Sequence, residues 1–223
     1  MLVLGVDTSG KNGSIALAEC SPDEGCSIFE VVPLAGGTFS AQLIPQIAEL
    51  LQKHRCQKYQ IDAFAIVSGP GSFTGLRVGL AAVKGLAEIL QKPIAAVSLL
   101  EAVAVSANAH GKVLSALDAG RNEIYAGLYE IGDSVREIGE HLYTAEELAG
   151  AGNGYQIVTP DHTVAEIARR GKLDLQEIDR PRSDAIALFG WRKILRGETV
   201  SPEALDANYI RRSDAEIFSK GRT

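Results

Sequence analysis

The stretch from Ile66 to Leu90, IVSGPGSFTGLRVGLAAVKGLAEIL, constrains the fold more than any other part of this chain. An apolar run from Phe64 to Val67 stops at Ser68-Gly69-Pro70-Gly71, a series of turn formers. Ser72 or Thr74 can then serve as N-cap of a helix that reaches about Gln91. A strand, a glycine turn and a helix amino terminus in succession present backbone N–H groups and the positive end of a helix dipole. That arrangement suits an anion.

The helix carries two apolar surfaces. At about 100° per residue, Arg77, Ala81, Lys84, Glu88 and Gln91 form one polar stripe. Leu76, Leu80, Val83, Ala87 and Leu90 flank it on one side. Gly75, Val78, Gly79, Ala82, Gly85, Leu86 and Ile89 make a second surface, rich in small residues, on the other. Small residues let a neighbouring backbone come close, although Gly-x-x-x-Gly is an established docking signal only in membranes. This second surface is either packed inside its own domain or is a subunit interface, and the pattern alone leaves both open.

At 223 residues and 46% apolar, the chain can bury a substantial core as one large domain or two of about 110 residues. Its net charge of −6 argues against nucleic acid as a direct, autonomous partner. The basic cluster Arg211, Arg212, Lys220 and Arg222, set against Asp214 and Glu216, reads as a solvated tail. Cys20, Cys26 and Cys56 form no C-x-x-C pair and read as reduced thiols. No basic, apolar leader and no long apolar run is present, so a cytoplasmic protein without a membrane segment is expected.

In chain order, Leu2–Thr8 reads as a buried strand, Ser9-Gly10-Lys11-Asn12-Gly13 as a hairpin turn, and Ser14–Glu19 and Cys26–Pro33 as the next strands. A helix follows over Ser40–Lys53, kinked at Pro45 or starting later. After the central strand and helix come a strand at Ile94–Val97 and a helix opened by Ser98-Leu99-Leu100-Glu101, where a capping box accounts for Glu101. The pattern then restarts near His110-Gly111. Leu117-Asp118-Ala119-Gly120-Arg121-Asn122 resembles Val6-Asp7-Thr8-Ser9-Gly10-Lys11-Asn12, and the order βββαβαβα runs again through a capping box at Thr144–Glu147 to a last helix at Ser183–Arg196. An internal duplication explains this repetition.

The chemistry is sparse. Gly69 to Arg77 is neither a Walker A loop nor a dinucleotide fingerprint, and Gly71-Ser72-Phe73-Thr74-Gly75 is not a nucleophile elbow. His54, His110, His141 and His162 lie in separate segments with no H-x-x-x-H pair. Asp7 and Asp118, each at a hairpin tip, suit a hydrated Mg²⁺ or a phosphate, or equally an Asx turn closed on its own backbone.

Ser68-Gly69-Pro70-Gly71-Ser72-Phe73-Thr74-Gly75-Leu76-Arg77, continuing through Gly79, Ala82 and Gly85-Leu86-Ala87, resembles the signature of the TsaB (YeaZ) family. Members are accessory subunits in making threonylcarbamoyladenosine on bacterial tRNA. Asp7-Thr8-Ser9, the hairpin at Leu117–Arg121 with Tyr125, and Pro202-Glu203-Ala204-Leu205 with Tyr209-Ile210-Arg211 extend the likeness over the whole chain. Phe39 departs from it, standing where the family often has histidine.

The resemblance implies the α/β fold of actin-like ATPases and RNase H-like proteins, shared with Hsp70 and sugar kinases, with two duplicated lobes at 1–106 and 107–223. The tail after Pro202 would return to the first lobe. It also implies kinship with the catalytic paralogue TsaD, whose metal-binding H-x-x-x-H pair falls here on Leu99 and Val103. The expected role is that of a non-catalytic subunit. It would dimerise with TsaD through Gly75, Val78, Gly79, Ala82, Gly85, Leu86 and Ile89, help recruit the ATPase TsaE, and meet tRNA through the complex rather than directly. Alone, it could form a homodimer through the same surface. ATP or ADP with Mg²⁺ would fall at or near the complex interface, with Asp7, Thr8, Ser9, Gly69, Gly71 and Ser72 as the nucleotide-contacting candidates. The rival readings are a small-molecule kinase of the same superfold, a TsaD-like metallopeptidase, and a purely structural homo-oligomer with no interaction with TsaD.

Overall fold

The computed structural model describes residues 1–211. The elements run β1 (Leu2–Asp7), β2 (Asn12–Ser21), β3 (Gly25–Ala35), α1 (Phe39–Lys53), β4 (Ala63–Gly69), α2 (Phe73–Leu90), β5 (Ile94–Ser98) and α3 (Leu99–Ser106). The order then repeats as β6 (Gly111–Gly120), β7 (Glu123–Ile131), β8 (Val135–Thr144), α4 (Ala145–Ala151), β9 (Gln156–Thr159), α5 (His162–Arg170), β10 (Leu175–Glu177) and α6 (Ser183–Leu195). Each half forms a five-stranded mixed sheet, ordered β3-β2-β1-β4-β5 and β10-β9-β6-β7-β8. In both, an antiparallel meander is extended by two parallel strands. This is the α/β fold of the actin-like ATPases and RNase H-like proteins, in two duplicated βββαβαβα copies.

Burial follows from this order. Central strands covered on both faces carry unbroken apolar runs rather than alternation, and β4, AFAIVSG, is buried at every position. The edge strand β3 has a single buried residue, Leu34. In the second sheet Leu114, Ala116, Ile124 and Ala126 pack with Leu148 of α4, Ile157 of β9, and Val164 and Ala168 of α5.

The compact units are discontinuous in sequence. Met1–Ala102 groups with Pro181–Ala207, and Val103–Arg180 groups with the chain from Asn208 onward. The return to the first unit thus begins with α6, well ahead of Pro202. Ile186, Ala187, Gly190 and Trp191 are the buried face of α6. Any Cβ on Gly190 would collide with the Ala65 methyl, and any on Gly5 with the Ser183 carbonyl, so helix and sheet meet backbone to backbone. From Asn208 the chain joins the second unit. Asn208 Nδ2 donates to Glu140 Oε2 at 2.6 Å, and the buried Tyr129 hydroxyl donates to Oε1 at 2.5 Å. Arg211, expected in a solvated tail, instead bonds Glu123 and the Gly120 carbonyl and lies 5.8 Å from the Tyr125 ring centre. The remaining tail residues, Arg212, Asp214, Glu216, Lys220 and Arg222, lie outside the described residues.

Two local expectations need correction. Cys20 and Cys26 are not free thiols but form a disulfide across the β2–β3 hairpin. Cys20 directs both its N–H and its carbonyl to Met1, away from β3. It therefore faces Cys26 in a non-hydrogen-bonded pair, where cross-strand side chains are closest. Cys56 stays free. Glu101 does more than cap: Ser98 Oγ accepts from Leu100 and Glu101 N–H, while the Glu101 carboxylate reaches Lys193 Nζ of α6 at 2.9 Å.

Just beyond α6, Arg196 donates to both carboxylate oxygens of Glu198 at 2.6 and 3.1 Å, with Lys193 at 3.7 Å. The bond from Arg196 holds the Glu198 carboxyl below its ordinary range, against the opposing effect of burial. A carboxylate whose folded pKa is depressed stabilises the fold above its unfolded pKa, about 4.3, and that stability is lost as pH falls through the folded value. Glu198→Gln is accordingly expected to lower the melting temperature modestly at neutral pH and to leave it unchanged well below the folded pKa, which flattens the acid side of a melting temperature versus pH curve.

Candidate functional site at the glycine turn

β4 ends in Gly69 at φ 140°, and the Gly69–Pro70 peptide is cis. Of the two capping candidates the structure selects Ser72, whose Oγ accepts from Gly75 N–H at 3.3 Å. The turn between β1 and β2 lies directly against it. Ser72 N–H donates to the Ser9 carbonyl at 2.7 Å. Asp7 Oδ1 accepts from both the backbone N–H and the hydroxyl of Ser9, at 2.8 and 2.6 Å. Asp7, Thr8 and Ser9 are all buried.

The glycines of this region serve that contact. A Cβ on Gly71 would collide with the Ser9 carbonyl, one on Gly75 with the Thr8 carbonyl, and one on Gly79 with Thr8 Oγ1. Positions 71, 75 and 79 thus form a flat track on which the Thr8–Ser9 backbone rests, and Thr8 Oγ1 is left buried without a hydrogen-bond partner. Close backbone approach is what glycine allows here.

The second surface of α2 therefore divides. Gly75 and Gly79 are consumed within their own unit and leave the expected docking set. Val78, Ala82 and Leu86 are half-buried, Gly85 is exposed with open space where a Cβ would lie, and Ile89 is 76% exposed. What remains open is a continuous small and apolar strip over the carboxyl-terminal two-thirds of the helix.

Beside the turn lies a cavity of about 420 Å³. It is lined by Gly10 and Lys11, by Phe39 and Ser40 at the start of α1, and by Ser72 and Thr74 at the start of α2. An anion there would meet two helix amino ends and a lysine. Of the six nucleotide-contacting candidates only Ser72 lines this cavity; Asp7 is bonded to Ser9, Thr8 packs on α2, Gly71 packs on Ser9, and Gly69 is buried at the end of β4. Gly36 and Gly37 also line the cavity; neither they nor Lys11, legible only as part of a hairpin turn, could be assigned to a site, because a loop's partners across space leave no trace in its own spacing. Phe39 is buried, its ring near both Gly13 and Gly75, so it fills the space between the hairpin and α2.

The duplicated aspartate behaves alike. Asp118 Oδ1 accepts from Gly120 N–H at 2.7 Å, two residues on, as Asp7 does from Ser9. Both are Asx turns. Asp118 N–H also donates to Asp161 Oδ2 at 2.8 Å. Among the described residues no three His, Cys, Asp or Glu side chains come together, so the donor set of this turn does not fit a metal held by protein ligands alone. Leu99 and Val103 are fully buried in α3.

Residues 31–189 match the family model TsaD, tRNA N6-adenosine threonylcarbamoyltransferase. The chain belongs to this family, in its TsaB (YeaZ) branch. It is 32% identical over 138 residues to the Bacillus subtilis protein named tRNA threonylcarbamoyladenosine biosynthesis protein TsaB, covering 61% of this chain and 58% of that one. The chain thus spans little more than half the length of that relative. To the Escherichia coli protein of the same name it is 26% identical, with 96% of each chain covered. A Pseudomonas aeruginosa crystal structure, described as an uncharacterized protein with similarity to peptidase YeaZ, superposes with a TM-score of 0.76 at 28% identity, covering 94% of this chain and 99% of that one. Among the described residues no helix is long and apolar enough to cross a membrane.

Proposed function

We propose that this chain is the non-catalytic subunit of a tRNA-modifying assembly, required for threonylcarbamoyl transfer to the adenosine 3′ of the anticodon. It pairs with a TsaD-type catalytic subunit and helps bring in a TsaE-type ATPase. The observation that carries this reading is the open strip on α2. Val78, Ala82, Gly85, Leu86 and Ile89 follow one another at helical spacing, Ile89 is 76% exposed, and Gly85 leaves room for a second backbone. An apolar strip of this kind on an otherwise packed helix supports a partner surface. The names of the relatives supply the pathway, and the apolar Leu99 and Val103 fit a subunit that leaves the metal chemistry to its partner. Two-fold symmetry would let the same strip meet itself when the partner is missing. ATP or ADP with Mg²⁺ has the cavity beside Ser72 as its candidate place at that interface.

The test has two arms. Omitting this chain from a reconstitution with TsaD-type and TsaE-type subunits, tRNA and the threonylcarbamoyl donor is expected to depress modification strongly; full modification without it would overturn the reading. Ala82→Arg puts a charge into a close apolar contact, where desolvation costs several kcal/mol. It is expected to abolish association in sedimentation while the melting temperature stays near that of the parent. A folded variant that still binds its partner normally would remove α2 from the interface.

A further inference from the structure

A groove at the amino ends of β6, β9 and β10 takes no part in the site described so far. The three parallel strands start side by side there, with Val113 opposite Gln156 and Ile157 opposite Leu175. The segments feeding them leave an open polar cavity of about 650 Å³. His110 and Lys112 line it before and in β6, Asn153 and Tyr155 before β9, and Lys172 and Asp174 before β10. Lys112 Nζ stands 5.8 Å from the Tyr155 ring centre. Glu130, opposite Lys112 in the β6–β7 ladder, is bonded chiefly by Arg136, and the Lys112 charge adds a smaller effect in holding its carboxyl below the ordinary range. Two ammonium groups and an imidazole therefore share the groove with one carboxylate, in a chain whose net charge is −6.

The first unit has the same topological edge, and there the lysine has a carboxylate partner. Asp62, just before β4, accepts the Leu2 N–H at 2.8 Å and pairs with Lys92 at 3.6 Å. A carboxylate thus neutralises the lysine and ties the strand starts together. In the second unit the residues at the strand starts are Lys112, Tyr155-Gln156 and Lys172 to Asp174, and the edge is open and cationic.

We propose that this groove holds phosphates of an RNA backbone, with Lys112 and Lys172 as the contacting cations. A polyanion gains from separated cations because each neutralised phosphate releases condensed counterions, and an open groove lets a chain pass through. The choice of RNA as the polyanion rests on the proposed function. The acidic remainder of the molecule keeps the contribution local, adding to whatever grip the partner subunits supply.

The full chain titrated at low salt with a tRNA anticodon stem-loop, followed by amide NMR, is expected to shift Asn153, Gly154 and Lys172 and leave α2 unmoved. Lys112→Glu combined with Lys172→Glu is expected to weaken binding at least tenfold and reduce the slope of log K against log salt by roughly 1.5. Should the charge reversals fail to fold, Lys112→Gln with Lys172→Gln carries the same test. Unchanged affinity and slope, or shifts confined to another surface, would overturn the proposal. So would inorganic phosphate reproducing the same shifts without preference for the RNA, since that describes a small-anion site. Sedimentation of the same variants with the TsaD-type subunit is expected to be unchanged. Loss of association in the parent chain would count against the proposed function alone.

Discussion

A chain ended after Arg180 is expected not to fold its first sheet, although every strand of that sheet lies before residue 100. The reason is α6. Ile186 and Ala187 are fully buried and Trp191 nearly so, all on the face turned to β1, β2, β4 and β5. Burial of each large apolar side chain is worth about 1.5–3 kcal/mol, and the sheet residues beneath lose their cover as well. A loss of roughly 5 kcal/mol or more is comparable with the whole stability of an ordinary domain, about 5–15 kcal/mol. No other helix can replace it, because Gly190 and Gly5 fit α6 to the sheet at backbone distance. The truncated chain should be insoluble, or retain far-ultraviolet circular dichroism without a cooperative melt. Because residues 1–180 keep all of the second sheet, the deciding readout is amide exchange in β1 and β4: protection there equal to that of the full chain would show that α6 is dispensable.

The second large effect is a gradient along one helix. Gly75→Val is expected to be severe, because its Cβ meets the Thr8 carbonyl, a backbone atom held in place by the β1–β2 turn, with the Phe39 ring 3.3 Å away. Overpacking of this kind costs about 1–3 kcal/mol and at times more. For a chain of this size that corresponds to a fall in melting temperature of up to about 10 °C. Gly79→Val should cost less, since its main obstacle is the Thr8 hydroxyl, which can rotate. Gly85→Ala should raise stability by up to about 1 kcal/mol, because alanine is the better helix former and open space awaits its methyl. Its cost should appear only in partner binding. A flat response across the three positions would contradict the division of the α2 surface.

That division marks where sequence reading stops. The period of the helix told which residues share a face, and Ser68–Ser72 told where the helix begins. Neither could tell that the first third of the face would meet Thr8 and Ser9, residues more than sixty positions away. The meander, the parallel strands and the duplication were legible because each is a local pattern met twice, down to the matching Asx turns of Asp7 and Asp118. The three-residue strand Leu175–Glu177 was not, being too short to alternate. The disulfide was missed because a search for C-x-x-C overlooks cysteines set opposite by a hairpin whose turn lies between them. The return of α6 to the first sheet had no local signal, since an amphipathic helix records that it is buried but not on which sheet.

The route of the chain has a consequence for synthesis. It passes from one unit to the other near Ala102, again near Pro181 and again near Asn208. On the ribosome, which adds roughly ten residues per second, the first sheet waits on the order of ten seconds for the helix that covers it. During that interval β1 and β4, the most apolar strands, have one face bare. The first half, though similar in plan to the second, is completed only by a segment that follows the second, so it is not a contiguous cassette.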